Sequence, residues 1–280
     1  MGRSRDFLAL TKPRVILMVL VTTSVGFYLG SQGPTDWLRL FQTLLGTALA
    51  AAGTIALNQY LEREVDARME RTRRRPLPQG RLQPAEALRF GVAITAAGLL
   101  LLLPVGLLPA LVTAATVGLY LFAYTPLKRC SSLCLVVGAA SGALPPVTGW
   151  VAARGDFGIG VWVLFVILFL WQLPHTLAIA RLYQEDYARG GIRLLPASRT
   201  GADAQALAGC LALIVVGLLP TQIGLTGQVY LVGALTLGVG LLGCGVLQAL
   251  SPSLGAARRL LFASLLYLPM LLILMTLDKA

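Results

Sequence analysis

The chain has 280 residues, of which 56% are apolar and 12% charged, and a formal net charge of +11. Soluble domains carry about 25% charged residues, and the mean hydropathy of +0.77 agrees in excluding that class. The positive excess is gathered between long apolar runs, so it needs no nucleic-acid partner to explain it.

In chain order, residues 1–11 are short and polar. No small-residue cleavage site follows the first apolar run, so a cleaved signal peptide is not expected. Apolar segments then fall at roughly 12–30, 38–60, 88–108, 109–127, 133–153, 159–182, 205–223, 228–248 and 259–277. Each is near the roughly 20 residues that a helix needs to cross the hydrocarbon layer. Pro145 and Pro146 predict an irregular or kinked fifth span. The expected fold class is all-α: a polytopic membrane protein of about nine transmembrane helices. It forms one domain over 1–280, with two conspicuous loops at 61–89 and 183–204.

Lysine and arginine set the expected orientation. Arg3, Arg5, Lys12 and Arg14 flank the first span, and eight arginines lie in 61–89. Lys128, Arg129, Arg181, Arg189, Arg193, Arg199, Arg258 and Arg259 come at later turns. Nine spans place all these basic loops on one side. The N-terminus is therefore expected in the cytoplasm and the C-terminus outside.

The stretch NQYLEREVDARMERTRRRP, from Asn58 to Pro76, carries more than a topology signal. Asn58, Glu62, Asp66 and Glu70 are spaced by four, so on a helix they drift only about 40° per step. An acidic face at a membrane edge, followed by Arg71, Arg73, Arg74 and Arg75, suits a divalent metal and a phosphorylated ligand. Mg²⁺ takes oxygen ligands, usually one or two carboxylates together with substrate phosphates. The bland alternative is a solvated charged loop that only holds orientation.

A second acidic stretch ends a span at Glu185, Asp186 and Tyr187, with Gly190 and Gly191 breaking it. Arg181, Arg189 and Arg193 are close by. Two such stretches on one side suit a diphosphate held between them. Between them, Lys128 offers a point charge to phosphate, and Gly138 with Gly142 has the GxxxG spacing that permits close helix approach. His175, the only histidine, follows Pro174 in an apolar span. It could hydrogen-bond, relay a proton or approach a tetrapyrrole, or be a packing residue. Bis-histidine haem ligation is excluded. Of the four cysteines, Cys130 and Cys134 are spaced CxxxC, but with no histidine nearby they read as unreactive packing residues.

Five stretches together, NQYLEREVDARMERTRRRPLPQG, YTPLKR, GAASGALPPVTGW, WQLPHTLAIA and EDYARGGIRLLP, resemble the UbiA superfamily of intramembrane prenyltransferases, and within it the haem-modifying branch. The likeness covers nearly the whole chain from Leu10. It implies a nine-helix bundle around a membrane-open cavity in the plasma membrane (the bacterial inner membrane). The implied substrates are haem B and farnesyl diphosphate, and the products haem O and diphosphate. It further implies Mg²⁺ held by Asn58, Glu62, Asp66 and Asp186, which with Lys128 form the catalytic group. Arg71, Arg75, Lys128 and Arg129 would bind the diphosphate, and His175 would seat haem or handle a proton.

The chain also departs from the family pattern. Glu62 stands where aspartate is usual, and Leu182 occupies the earlier position of the second acidic motif. Thr176 replaces a commoner phenylalanine, and Cys130, Ser131, Ser132 and Cys134 replace the usual polar run. Two alternatives follow the same residues. One is prenylation of another aromatic or tetrapyrrole acceptor. The other is a phosphate-metabolite transporter, which would commonly show two related halves; no convincing half-repeat is present.

Overall fold

The computed structural model describes residues 2–195 and 199–280. The second expected loop, 183–204, therefore includes residues 196–198, which lie outside the described residues, and its first motif as far as Leu195 lies inside them. The elements are α1 (Arg3–Thr11), α2 (Pro13–Gly30), α3 (Trp37–Leu61), α4 (Arg63–Arg68), α5 (Pro84–Leu102) and α6 (Leu107–Gly118). A π-helical stretch (Leu119–Tyr124) and the short α7 (Thr125–Leu127) continue α6. Then come α8 (Cys134–Arg154), α9 (Ile159–Leu182), α10 (Gln184–Gly190), α11 (Arg199–Gln222), α12 (Gln228–Leu250) and α13 (Leu254–Leu277).

Among the described residues, nine helical stretches are long and apolar enough to span a membrane. They coincide with the nine expected from hydropathy with ends shifted by at most six residues, the largest shift being the third span, expected at 88–108 and found at Pro84–Leu102. Large apolar side chains such as Trp37, Leu100, Phe122, Val215 and Phe262 point outward. In water such a surface would aggregate; in lipid it is already solvated. The main core packs small and medium residues such as Ala143, Val147, Leu164 and Leu271 around a few large rings, Trp150, Tyr230 and Tyr267.

Close backbone approach holds the bundle, because lipid offers no hydrophobic drive between helices. A Cβ built on Gly98 of α5 would lie 2.4 Å from the Ala50 nitrogen of α3. One on Gly149 of α8 would lie 1.9 Å from the Thr23 carbonyl oxygen of α2. The GxxxG pair read from the sequence works differently. Gly138 faces the Tyr124 ring and Gly142 faces the Gln172 side chain. These two glycines make room for side chains at an internal cavity, and the backbone contacts are made elsewhere.

The short polar stretch before the first span is helical over Arg3–Thr11 (α1) and is tied to α3, where Gln59 Nε2 donates to the Leu10 carbonyl at 2.5 Å. Asp6 pairs with Arg81 at 2.8 Å, which docks α1 against the first motif loop. The span containing Pro145 and Pro146 runs as one continuous helix from Cys134 to Arg154. Proline is tolerated there because neighbouring spans pack over the interrupted turn; Gly26 of α2 lets the Pro146 carbonyl come within contact.

Candidate active site

The site is built at the end of the bundle where the basic loops gather. Its floor is a row of three side chains. Asn58 sits in the last turn of α3, Glu62 caps that helix, and Asp66 lies in α4. The axis breaks at Glu62, yet the hydrogen bonding does not: the Glu62 amide donates to the Asn58 carbonyl at 2.9 Å, and the Asp66 amide to the Glu62 carbonyl at 2.8 Å. That is why the spacing of four survives as a row. It ends there. Met69 is extended, with φ −97 and ψ 133, so Glu70 leaves the row and pairs with Arg73 in the open. The expected fourth member of the acidic face is thus absent from it.

All three remaining side chains are buried, Asp66 to 1% exposure. Burying a carboxylate is costly unless a charge and hydrogen bonds compensate it, and each acid here has its own cation. Lys128 Nζ lies 2.6 Å from Glu62 Oε1. Arg75 Nη1 donates to Asp66 Oδ2 at 2.6 Å. Asn58 donates through Nδ2 to Thr125 Oγ1 at 3.0 Å, and that hydroxyl donates to the Tyr120 carbonyl at 2.7 Å. Thr125 reaches the row because the π-helical stretch shifts the register of the fourth span just before it. Such wide turns often mark functional sites.

Asp186 is placed differently. Its carboxylate accepts from the backbone amides of Glu70 at 2.6 Å and Arg71 at 3.2 Å, and from Arg189 Nη2 at 3.0 Å. Burial works to raise its carboxyl, but the two amides and the Arg189 guanidinium outweigh it and hold the group below the ordinary 3.8. Asp186 thereby ties the two motif loops together. Among the described residues no three His, Cys, Asp or Glu side chains are grouped as a metal site. The carboxylates of Glu62 and Asp66 stand with Asn58, and that of Asp186 is occupied by the loop.

The basic residues divide in the same way. Lys128 and Arg75 enter the row. Lys128 Nζ also lies 4.5 Å from the Tyr124 ring centroid, and the Lys128 carbonyl accepts from the Arg193 amide at 2.8 Å, a second tie between loops. Arg71 is exposed and spreads over the rings of Tyr183 and Tyr187 at the rim. Arg129 is exposed, with no side-chain ion pair among the described residues.

One residue was missed as a site candidate. Lys12, at the joint of α1 and α2, has φ 49 and is the one non-glycine with positive φ among the described residues. This conformation costs a side-chain-bearing residue free energy, and it breaks the chain so that α1 folds back onto α3. Burial, reinforced by the positive charge of Arg75, lowers the Lys12 ammonium to about 8, and the nearby charges of Asp66 and Glu62 act in the opposite sense. Lys12 is thus a third cation beside the row. In the sequence Lys12 read only as one of the basic residues flanking the first span, and nothing local showed which charges it would meet.

Below the row lies a cavity of about 450 Å³, within the usual range for small-molecule sites. Its lining is mostly aliphatic, with Tyr120, Tyr124, Gln172 and His175 among the polar exceptions. Outward-facing Met18 and Val21 of α2 and Leu265 of α13 also line it, so it opens sideways toward lipid between the first and last spans. His175 is therefore in the cavity, on the apolar side of the acidic row.

The sequence and the fold are matched by known proteins. A family model described as the UbiA prenyltransferase family matches residues 19–268. A protoheme IX farnesyltransferase of Solibacter usitatus is 47% identical, covering 98% of this chain and 99% of its own. Another from Aquifex aeolicus is 39% identical, with 98% and 95% covered. Among solved structures, one of digeranylgeranylglyceryl phosphate synthase superposes with a TM-score of 0.85 at 16% identity, covering 99% of both chains. A UbiA homologue from Archaeoglobus fulgidus bound to GPP and Mg²⁺ gives 0.66 at 15% identity, covering 96% of this chain and 99% of its own. At such identities the structures speak for the fold alone. The family match and the full-length relatives establish that this chain belongs to the UbiA prenyltransferase family.

Proposed function

We propose that the protein transfers the farnesyl group of farnesyl diphosphate to a vinyl group of haem B, giving haem O and diphosphate. The observation that carries this reading is the full-length likeness to protoheme IX farnesyltransferases, and the arrangement of a buried acid–base row above a lipid-open cavity agrees with it. Family membership favours a prenyltransferase over a transporter. The membrane would be the bacterial inner membrane, with the row on the cytoplasmic side, as the basic loops favour.

The oxygen donors of Asn58, Glu62 and Asp66 fit a hard divalent cation. Mg²⁺ is the proposed ion; Asp186, whose carboxylate accepts from the Glu70 and Arg71 amides, would join the ligand set only by giving up those bonds. When bound, the metal supplies positive charge that stabilises a diphosphate leaving group.

The chain's own residues would do the rest. Lys128, Arg75 and Lys12 would give the diphosphate three cations around the acidic row, and Arg71 would meet it over the rings of Tyr183 and Tyr187; Arg129 would contribute to the same positive field. The farnesyl chain would lie along the aliphatic lining. Heterolysis of its C1–O bond leaves the electron pair on diphosphate, where Lys128 and Arg75 stabilise the growing charge. The allylic cation forms beside the rings of Tyr120 and Tyr124, whose faces attract cations. The vinyl terminal carbon attacks C1, and water adds to the carbon next to the macrocycle with loss of a proton. This gives the hydroxyethylfarnesyl group. The dry lining delays water until the carbon–carbon bond has formed.

Purified protein incubated with Mg²⁺, haem B and farnesyl diphosphate should yield the mass of haem O. Absence of product from folded protein, with product from a different labelled acceptor, would move the assignment to that acceptor.

A further inference from the structure

The imidazole of His175 is more tightly prepared than a packing residue requires. Its ring stacks on Trp171, with centroids 4.6 Å apart and planes at 20°. Its Nδ1 lies 2.9 Å from Ser264 Oγ on α13. Trp171 Nε1 in turn donates to the Ser264 carbonyl at 2.7 Å. Two side chains of α9, one helical turn apart, are thus fastened to one residue of the last span.

The Ser264 hydroxyl decides the tautomer. It is fully buried, and its Oγ lies 2.7 Å from the Leu261 carbonyl, which can only accept. A hydroxyl has one proton. If that proton went to His175, the hydroxyl oxygen and the carbonyl oxygen would face each other unbridged at 2.7 Å. Donation to Leu261 removes this repulsion and leaves Ser264 Oγ as acceptor from Nδ1–H. The Nε2 lone pair is then the free end of the ring. His175 lines the cavity, and with Nδ1 turned to Ser264 the Nε2 edge is the one presented to it. A ring nitrogen whose opposite N–H is held by a fixed acceptor is the usual arrangement of a metal-ligating histidine.

We propose that His175 Nε2 is the axial ligand of the haem iron of the acceptor substrate, and that Ser264 is the positioning residue that fixes its tautomer. The inference rests on the haem-acceptor reading and extends it. His175 lies seven residues before the basic end of α9, about 10 Å along its axis. Iron held there keeps the macrocycle in the apolar cavity, with its edge free to reach toward Lys128 and Arg75. The lateral opening admits so large a plate from the bilayer. One protein ligand leaves the sixth position open, as suits a substrate that must depart.

The test uses full-length protein in detergent or nanodiscs, titrated with haem B in the absence of prenyl donor. Wild type should give the spectrum of five-coordinate ferrous haem with one histidine, including an iron–histidine stretch in resonance Raman. His175→Gly should lose that stretch, and added imidazole should restore it. Ser264→Ala should keep haem binding but weaken it about 10–100-fold, the usual cost of removing an outer hydrogen-bond partner of a metal ligand, and shift the stretch. Metal-free protoporphyrin IX should bind wild type and His175→Gly equally. An unchanged spectrum and affinity in folded His175→Gly would overturn the ligation. An unshifted stretch and unchanged affinity in Ser264→Ala, which keeps the imidazole, would overturn the positioning role. These outcomes stand apart from the functional reading, since haem O formation by wild type is scored separately: product without histidine ligation sinks this inference alone.

Discussion

Replacing Lys128 with methionine separates what the row does for the fold from what it does for catalysis. Lys128 Nζ and Glu62 Oε1 are 2.6 Å apart, and both residues are under 10% exposed. At that distance the attraction is about 6 kcal/mol for an effective dielectric near 20, most of it offset by desolvation of the two groups. Removing one partner of such a pair costs about 3–5 kcal/mol, because the other charge stays buried and uncompensated. Lys128→Met should therefore lower the thermal unfolding midpoint in detergent. Adding Glu62→Gln removes the stranded charge and should recover most of that loss. Turnover should behave oppositely. Loss of one charge-stabilising donor costs roughly 100–1,000-fold, and the second change removes a proposed metal ligand, so the double variant should be stable and inactive. Unfolding followed by fluorescence and haem O formation followed by mass give the two readouts. A single variant that unfolds at the wild-type temperature and turns over normally would refute the reasoning.

The other predictions concern neighbouring charges. Asp66→Asn leaves the side-chain volume intact and removes the anion that meets Arg75 at 2.6 Å; it should insert and fold but lose at least about 100-fold in turnover, and normal activity at limiting Mg²⁺ would count against a metal at the row. Lys12 has a folded value of about 8, below its ordinary 10.5. The folded state therefore releases this proton first, and the penalty for burying the charge, present below about pH 8, is relieved as pH rises toward 10.5. Diphosphate affinity should move the other way, falling above about pH 8 as the cation is lost, and Lys12→Met should flatten that profile in an equilibrium binding assay. For Asp186 the sign is that of a lowered acid: its stabilisation is complete above its unfolded value near 3.8 and is lost as pH falls through the lower folded value. Protection of the Glu70 and Arg71 amides against hydrogen exchange, taken relative to the intrinsic rate at each pH, should fall in acid for wild type and be lost already at neutral pH in Asp186→Ala.

The sequence alone determined the membrane class, the nine spans and the end of the bundle where the basic loops gather. Hydropathy over about 20 residues is a local property, and lysine and arginine report loop position directly. It also determined the row Asn58, Glu62 and Asp66, because a spacing of four needs only helical hydrogen bonding to become a face. It overran at Glu70, since nothing local announced the extended Met69. The tertiary structure decided what could not be local: which cation meets which acid, and that Asp186 joins the loops through backbone amides of the other motif, 116 residues away for Glu70. It also decided that Lys12 returns to the row and that His175 finds Ser264 across 89 residues. These partners are chosen by packing of distant helices, through glycines such as Gly98 and Gly149 whose role is visible only when the facing backbone is in place. Residue types carry the chemistry, and long-range packing assigns the pairs.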